Sequence, residues 1–347
     1  MARRHTRLLP ADARGIAEAA AILRSGGLVA FPTETVYGLG ANALETAAVR
    51  GIFEAKCRPA DDPLIVHLAD AGELERVAIP DDASLVLGRR FWPGPLTLVL
   101  RKQPTVPAEV TAGLDTVAVR VPAHPVAREL LRAAGLPVAA PSANRFGRPS
   151  PTRAQHVLDD LEGRIDAVID GGPTTVGVES TIVEVASTTP RLLRPGGLAA
   201  EDIEGALGVP LLTAGAARSG PQAAPGLLPM HYSPRTALTL IVGPSAAARA
   251  RLVRDVEGAL GGGQRVGVLA LEEDLPALAS GAHLEVVGAW SDPAATAQRL
   301  FDAVRALDAA NLDLIYAREL ADPTVGLGRA LGDRLRRAAR RIIDVRG

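Results

Sequence analysis

The sequence predicts an α/β protein of two domains. An N-terminal domain, residues 1–207, carries a curved or mixed sheet with flanking helices. A smaller C-terminal domain, residues 236–347, carries a parallel sheet. Three observations lead there. Short apolar runs suited to buried strands alternate with longer amphipathic stretches. The alternation is irregular in the first part and regular in the last. Between them, 208–235 dissolves into Gly, Pro, Ala and Ser, as an interdomain linker does.

In the first domain, Asp12 caps a predicted helix through Ile16, Ala20 and Leu23, and Gly26 and Gly27 stop it. A short buried strand follows at 28–31, ended by Pro32. A helix is expected over 46–55 and a strand over 64–68. Another helix covers 83–91, broken by the run Trp92, Pro93, Gly94, Pro95. Strands follow at 96–100 and 117–121. A helix over 125–134 leads through Gly135 into a strand at 137–140. A helix near 152–161 then precedes strands at 167–169, 180–185 and 191–193. The rhythm is strand-rich and lacks a strict βαβ order, hence a mixed sheet.

The linker 208–235 is not a uniform spacer, because Met230, His231 and Tyr232 cluster between Pro229 and Pro234. The reading is a semi-rigid segment that docks. After it come a strand at 238–242, a helix at 246–260, strands at 266–271 and 284–287, a helix at 293–307, a strand at 314–317 and a final helix at 328–342. That alternation predicts parallel strands with crossover helices. The last helix carries Arg334, Arg336, Arg337, Arg340 and Arg341, read as a solvated face near a helix C-terminus.

Composition removes several function classes. The net charge of −1 provides no global basic field for nucleic acid. The single cysteine, Cys57, allows no internal disulfide and no Cys-rich metal site. Arg3, Arg4 and Arg7 precede no continuous apolar run, so a secretory leader is not expected. No stretch of about 20 apolar residues is long enough to span a membrane, so a cytoplasmic location is expected. Aromatics make up only 3%, which leaves the cores to Ala, Val, Leu and Ile.

The chain holds 36 arginines and two lysines, and one of those lysines is Lys56. A lysine kept in so Arg-rich a chain suggests a compact point charge that a planar guanidinium cannot supply. Arg58 lies two positions on, and Arg120 and Arg194 end apolar strands. Four such cations in a mostly apolar domain suggest a phosphate or carboxylate site. Ser142 and Asn144 follow an apolar strand, where their side chains suit phosphate oxygens or a ribose, or simply make a turn. Ser180 opens a strand in the same manner. His67, alone in an apolar strand, reads first as a structural residue. Gly38 and Gly40 are too close for a dinucleotide fingerprint, and no G-x-x-x-x-G-K loop occurs.

The segments 31–40, 56–67, 92–96, 111–125, 141–151, 177–182 and 192–196, with Pro225-Gly226 and His231-Tyr232-Ser233-Pro234, together resemble the YrdC family in its long form. Lys56/Arg58 and Ser142/Asn144 stand as that family's K-x-R and S-x-N elements. The resemblance implies a YrdC-like catalytic domain over 1–207, a linker or lid over 208–235 and a C-terminal α/β domain over 236–347. It implies synthesis of L-threonylcarbamoyl-AMP from L-threonine, bicarbonate or CO2, and ATP, with release of pyrophosphate. This is the first step in making threonylcarbamoyladenosine beside the tRNA anticodon. It implies Lys56 and Arg58 as catalytic residues, with Mg2+ entering on ATP and no metal site of the protein's own. ATP would meet Lys56, Arg58, Asp62, Thr116, Ser142, Asn144, Ser150, Arg194 and Tyr232. Threonine would meet Thr35, His67, Arg120, Ala140 and Ser180. The product would pass to a tRNA threonylcarbamoyl transferase complex. The chain departs from the family at Asp62, where a neutral residue is common, and at Leu228, Pro229 and Met230 in the linker. Two other readings stay open here: an RNA-binding module with a weak RNA contact, and a carbamoyl-transfer domain using carbamoyl phosphate.

Overall fold

The computed structural model describes residues 4–187, 189–213, 224–226 and 231–346. These fall into two compact units. The first holds the chain up to Phe146, then Ser150–Thr175, then Glu179 into the linker. The second holds Gly147–Pro149, Val176–Val178 and the chain after the linker.

The first unit is built on a 12-stranded mixed sheet. Its strands stand in the order Arg7–Pro10, Ala167–Asp170, Val29–Phe31, Gly38–Asn42, Val138–Ala139, Ile65–His67, Thr116–Arg120, Leu96–Lys102, Thr181–Glu184, Arg191–Arg194 and Leu212–Thr213, with Ala78–Ile79 paired to Leu96–Lys102. The predicted mixed sheet is therefore present. The helices start where the sequence supplies caps. Asp12 accepts from Gly15 N at 2.9 Å to open Ala13–Arg24. Asp81 and Ser84 form a reciprocal capping box at the start of Asp82–Phe91.

Strand alternation gives the sheet two different faces. One face carries Val66, Leu96, Leu98, Leu100, Val117, Val119 and Val183. It is buried in the main core with Ala48, Val49 and Ile52 of helix Thr46–Lys56 and Leu87 of Asp82–Phe91. On the opposite face, the half nearest Val29 and Val138 is covered by helices Ala13–Arg24 and Pro125–Ala134. Among the described residues, the other half carries a small apolar cluster of Ile65, Val99, Ala118, Ile182 and Leu193 with Ala224 of the linker, in which no helix takes part. Polar side chains share that half-face, and they form the candidate site.

Several elements differ from expectation. Gly38–Asn42 is a strand despite two glycines of low strand propensity. A side chain at Gly40 would meet Phe31 Cε1 and Val138 Cγ1 at 2.8 Å, so close strand packing requires glycine there. Arg7–Pro10 is a strand through its pairing with Ala167–Asp170. Helix Ala200–Leu207, not foreseen as an element, ends the first domain with Gly208 as its left-handed cap at φ 70°, and strand Leu212–Thr213 extends the first unit into the region read as linker. The rest of the linker is described only at 224–226 and from 231 onward; Leu228, Pro229 and Met230 lie outside the described residues.

The second unit has a five-stranded, all-parallel sheet, as predicted, in the order His283–Gly288, Val266–Leu271, Leu314–Arg318, Ala237–Val242, Arg341–Asp344. Helices Ser245–Gly261, Pro293–Ala309 and Gly326–Ala338 accompany it. The predicted helix to residue 342 is corrected: it ends at Ala338, and Arg341–Asp344 adds a strand beside Ala237–Val242. Pairing with a parallel neighbour outweighs helical continuation where Ile342 and Ile343 are β-branched. The solvated arginine face is corrected too. Arg334 is 1% exposed and lies 5.1 Å over the Tyr232 ring, while Arg336 pairs with Glu319 at 2.6 Å and Arg337 with Asp333 at 2.9 Å.

Candidate active site on the open half of the sheet

The alternation that buries Val66 and Val119 turns His67, Thr116 and Arg120 to the open face. Thr97 pairs in register with Arg120 and shares that face. Arg120 thus stands between His67 on one neighbouring strand and Thr97 on the other. It is 3% exposed. Its Nε donates to Gly94 O at 3.2 Å and its Nη1 to Thr35 Oγ1 at 2.8 Å. Thr35 is itself held by Thr33, whose Oγ1 lies 2.9 Å away and also donates to Val36 O at 2.6 Å.

His67 is buried, edge-on to Phe31 at 6.2 Å between ring centroids. Burial, and then the neighbouring Arg120 charge, lower its pKa to about 3, so the imidazole is neutral at ordinary pH. It can donate or accept one hydrogen bond without adding charge.

A second group of cations lies in the same unit. Lys56 ends helix Thr46–Lys56, which stops at Cys57 in left-handed conformation (φ 53°). The Lys56 ammonium donates to the main-chain oxygens of Ser142, at 2.5 Å, and Asn144. Lys56 therefore pins the loop that follows strand Val138–Ala139. Arg58 pairs with Asp62 at 2.9 Å, and also donates to Asp62 O at 3.1 Å and Pro63 O at 2.8 Å. Asp62 is fully buried; burial pushes its pKa up, and Arg58, Lys56 and Arg194 pull it back down. Three cations thus act on one carboxylate, and Asp62 serves as the internal counter-ion of Arg58.

Arg194 is buried and wraps the start of strand Thr181–Glu184. It donates to Ser180 O at 2.9 Å, to Ser180 Oγ at 3.2 Å and, through Nη1, to Pro225 O of the linker at 3.1 Å. The Ser180 hydroxyl also lies 2.7 Å from Thr97 Oγ1. Ser150 donates to Glu179, next to Ser180. Ala140 N is bonded to Ile65 O at 2.8 Å, tying the strand end beside His67.

The structure therefore links Lys56 with Ser142 and Asn144, Arg58 with Asp62, Thr35 with Arg120 and His67, and Ser180 with Arg194. Thr116 is on the right face but begins the strand that Arg120 ends, roughly 13 Å away at a strand's rise. Tyr232 belongs to the second unit. It is 2% exposed there, against Phe301 at 5.6 Å and His231 at 4.2 Å. Three participants were not singled out from the sequence: Thr97, Glu179 and Glu34. Glu34 and Glu179 sit inside the motif segments, beside chosen residues, while Thr97 is revealed only by its strand register. Among the described residues no three His, Cys, Asp or Glu side chains gather as a metal site, and no helix is long and apolar enough to cross a membrane.

Two family models match this chain: Sua5_yciO_yrdC, described as "Telomere recombination", over residues 21–196, and Sua5_C, described as "Threonylcarbamoyl-AMP synthase, C-terminal domain", over residues 198–340. The threonylcarbamoyl-AMP synthase of Bacillus subtilis (strain 168) is 46% identical over 327 residues, covering 93% of this chain and 92% of that protein. That of Pyrococcus abyssi (strain GE5 / Orsay) is 46% identical over 334 residues, covering 94% and 95%. The crystal structure of P. abyssi Sua5 complexed with L-threonine matches with a TM-score of 0.91 at 43% identity, covering 98% of this chain and all of that one. The chain belongs to the Sua5/YciO/YrdC family, in the form that carries the Sua5 C-terminal domain. Its activity is that of a threonylcarbamoyl-AMP synthase, a nucleotidyltransferase.

Proposed function

We propose that the open half-face of the first unit binds L-threonine and ATP side by side and joins them through a carbamate made from bicarbonate or CO2. The observation that carries this is the division of cations into two groups. Arg120, with Thr35 and neutral His67, forms one; Lys56, Arg58 and Arg194 around Asp62 form the other. The first suits the carboxylate of a small hydroxy amino acid, with Ser180 and the main chain at Ala140 at its border. The second suits a triphosphate, with Ser142, Asn144, Ser150 and Thr116 for the rest of the nucleotide.

In the proposed reaction the carbamate oxygen attacks the α-phosphorus and pyrophosphate leaves. Little acid–base chemistry is needed; positioning and charge stabilisation dominate. Arg58 exchanges Asp62 for a phosphate oxygen, and Lys56 keeps the Ser142 loop in place. Mg2+ is proposed to arrive on the ATP phosphates, which supply most of its ligands in such sites, with Asp62 the nearest protein carboxylate. The product, a reactive mixed anhydride, is proposed to pass to a transferase complex that acts on the adenosine beside the tRNA anticodon.

The test is pyrophosphate release with threonine and bicarbonate each present or omitted. Release that requires both supports the reading, and release indifferent to threonine sinks it.

A further inference from the structure

The proposed threonine site also holds a buried carboxylate. Glu34 lies between Thr33 and Thr35 and is 7% exposed. Its Oε1 stands 2.7 Å from Arg120 Nη2. The contact is ionic but not an aligned hydrogen bond. Both Glu34 carboxylate oxygens and Arg120 Nη2 are buried without a hydrogen-bond partner among the described residues. The other arms of Arg120 are fixed on Gly94 O and Thr35 Oγ1. A rigidly held guanidinium and a buried carboxylate therefore lie together, each with unused hydrogen-bonding capacity. Buried polar groups are nearly always satisfied, so such a pair calls for an explanation. A buried carboxylate lacking donors is costly to keep.

A ligand that satisfies both must present an anion to Nη2 and N–H donors to Glu34 within a few ångströms. A carboxylic acid without nitrogen meets Arg120 but brings like charge against Glu34. An α-amino acid meets both, because its carboxylate and ammonium share one carbon. We propose that Glu34 receives the α-ammonium group of the substrate, and so makes the site select an amino acid over the corresponding hydroxy acid. The inference rests on the threonine reading given above. It adds the group that recognises the nitrogen on which the carbamate is built. His124, half-buried with Nδ1 lacking a hydrogen-bond partner among the described residues, lies in the field of Glu34.

The experiment is calorimetric titration of the full chain with L-threonine and with (R)-3-hydroxybutyrate, which lacks only the amino group. Wild type should prefer threonine by about tenfold or more, the worth of a hydrogen-bonded charge pair. Glu34→Gln should lose most of that preference, binding threonine about tenfold more weakly and hydroxybutyrate no less well. Glu34→Asp, which keeps the charge on a shorter arm, should fall between. Equal loss for both ligands would make Glu34 only a prop for Arg120 and overturn the proposal. Equal affinity of wild type for the two ligands would overturn it too, even if Glu34→Gln failed to fold. Wild type that binds ATP but neither ligand would remove the threonine reading itself, a different failure.

Discussion

At the residue scale, the site is governed by charges held inside the protein. Arg58 and Asp62 are both buried and paired at 2.9 Å. Arg58→Ala strands a buried carboxylate, so it should cost about 3 kcal/mol or more in urea unfolding. Adding Asp62→Asn should return most of that stability without restoring pyrophosphate release. A double variant as unstable as the single would deny Asp62 its role as counter-ion. His67 gives a pH test. Its native pKa of about 3 lies below the ordinary 6.5, so between these values the unfolded chain binds more protons. Its contribution to stability is complete above pH 6.5 and is lost as pH falls toward 3. His67→Gln should therefore lose less stability than wild type between pH 7 and pH 4.5, measured by urea midpoints. An identical loss in both would show that His67 titrates normally. Arg120 and Arg194 were legible in the sequence because charge at the end of an apolar strand stands out, and Lys56 with its neighbour Arg58 because lysine is rare in this chain. Their internal partners were less so: Glu34 reads as an ordinary acidic residue, and Asp62, singled out as a carboxylate near the nucleotide, gave no sign that it pairs with Arg58.

At the scale of elements, alternation along short strands sorts core from site. Val66 and Val119 go to one face, His67 and Arg120 to the other. Strong local signals were legible: Asp12 caps the helix that follows it, as expected, and a helix near 125–134 is observed as Pro125–Ala134. Weak local signals were missed. Gly38–Asn42, beside Val138–Ala139, and Arg341–Asp344, beside Ala237–Val242, are strands chiefly through their neighbours, and pairing across long sequence separations leaves no mark on local periodicity. Gly196 shows how tightly one element holds the site. A Cβ there would stand 2.3 Å from Glu179 O and 2.4 Å from Ser180 C and Thr181 N. Gly196→Ala must push back the backbone carrying Glu179 and Ser180. It should weaken threonine and ATP binding by about tenfold or more while the far core stays folded. Unchanged titrations would show that the Ser180 segment yields without effect.

At the scale of the whole molecule, two sheets of different logic share one chain. The parallel rhythm of the second unit was legible because three of its five strands are each followed by an α-helix. The strand order of the first was not, since Arg7–Pro10 pairs with Ala167–Asp170 and Leu96–Lys102 with Thr181–Glu184. The linker contributes to the first unit directly: Ala224 joins the apolar cluster beneath the site, and Pro225 O accepts from Arg194. Deleting 224–347 should therefore weaken ATP retention as well as lower turnover, measured by filter binding and pyrophosphate release. Full retention would deny the linker a part in the site. The central claim is that one half-face joins threonine, a one-carbon unit and AMP in a single molecule. Mass spectrometry of the product formed from ATP, Mg2+, L-threonine and 13C-bicarbonate tests it most directly. A labelled threonylcarbamoyl-AMP, lost in Arg58→Ala and in Arg120→Ala, is the result expected; AMP and pyrophosphate formed with no labelled adduct would contradict it.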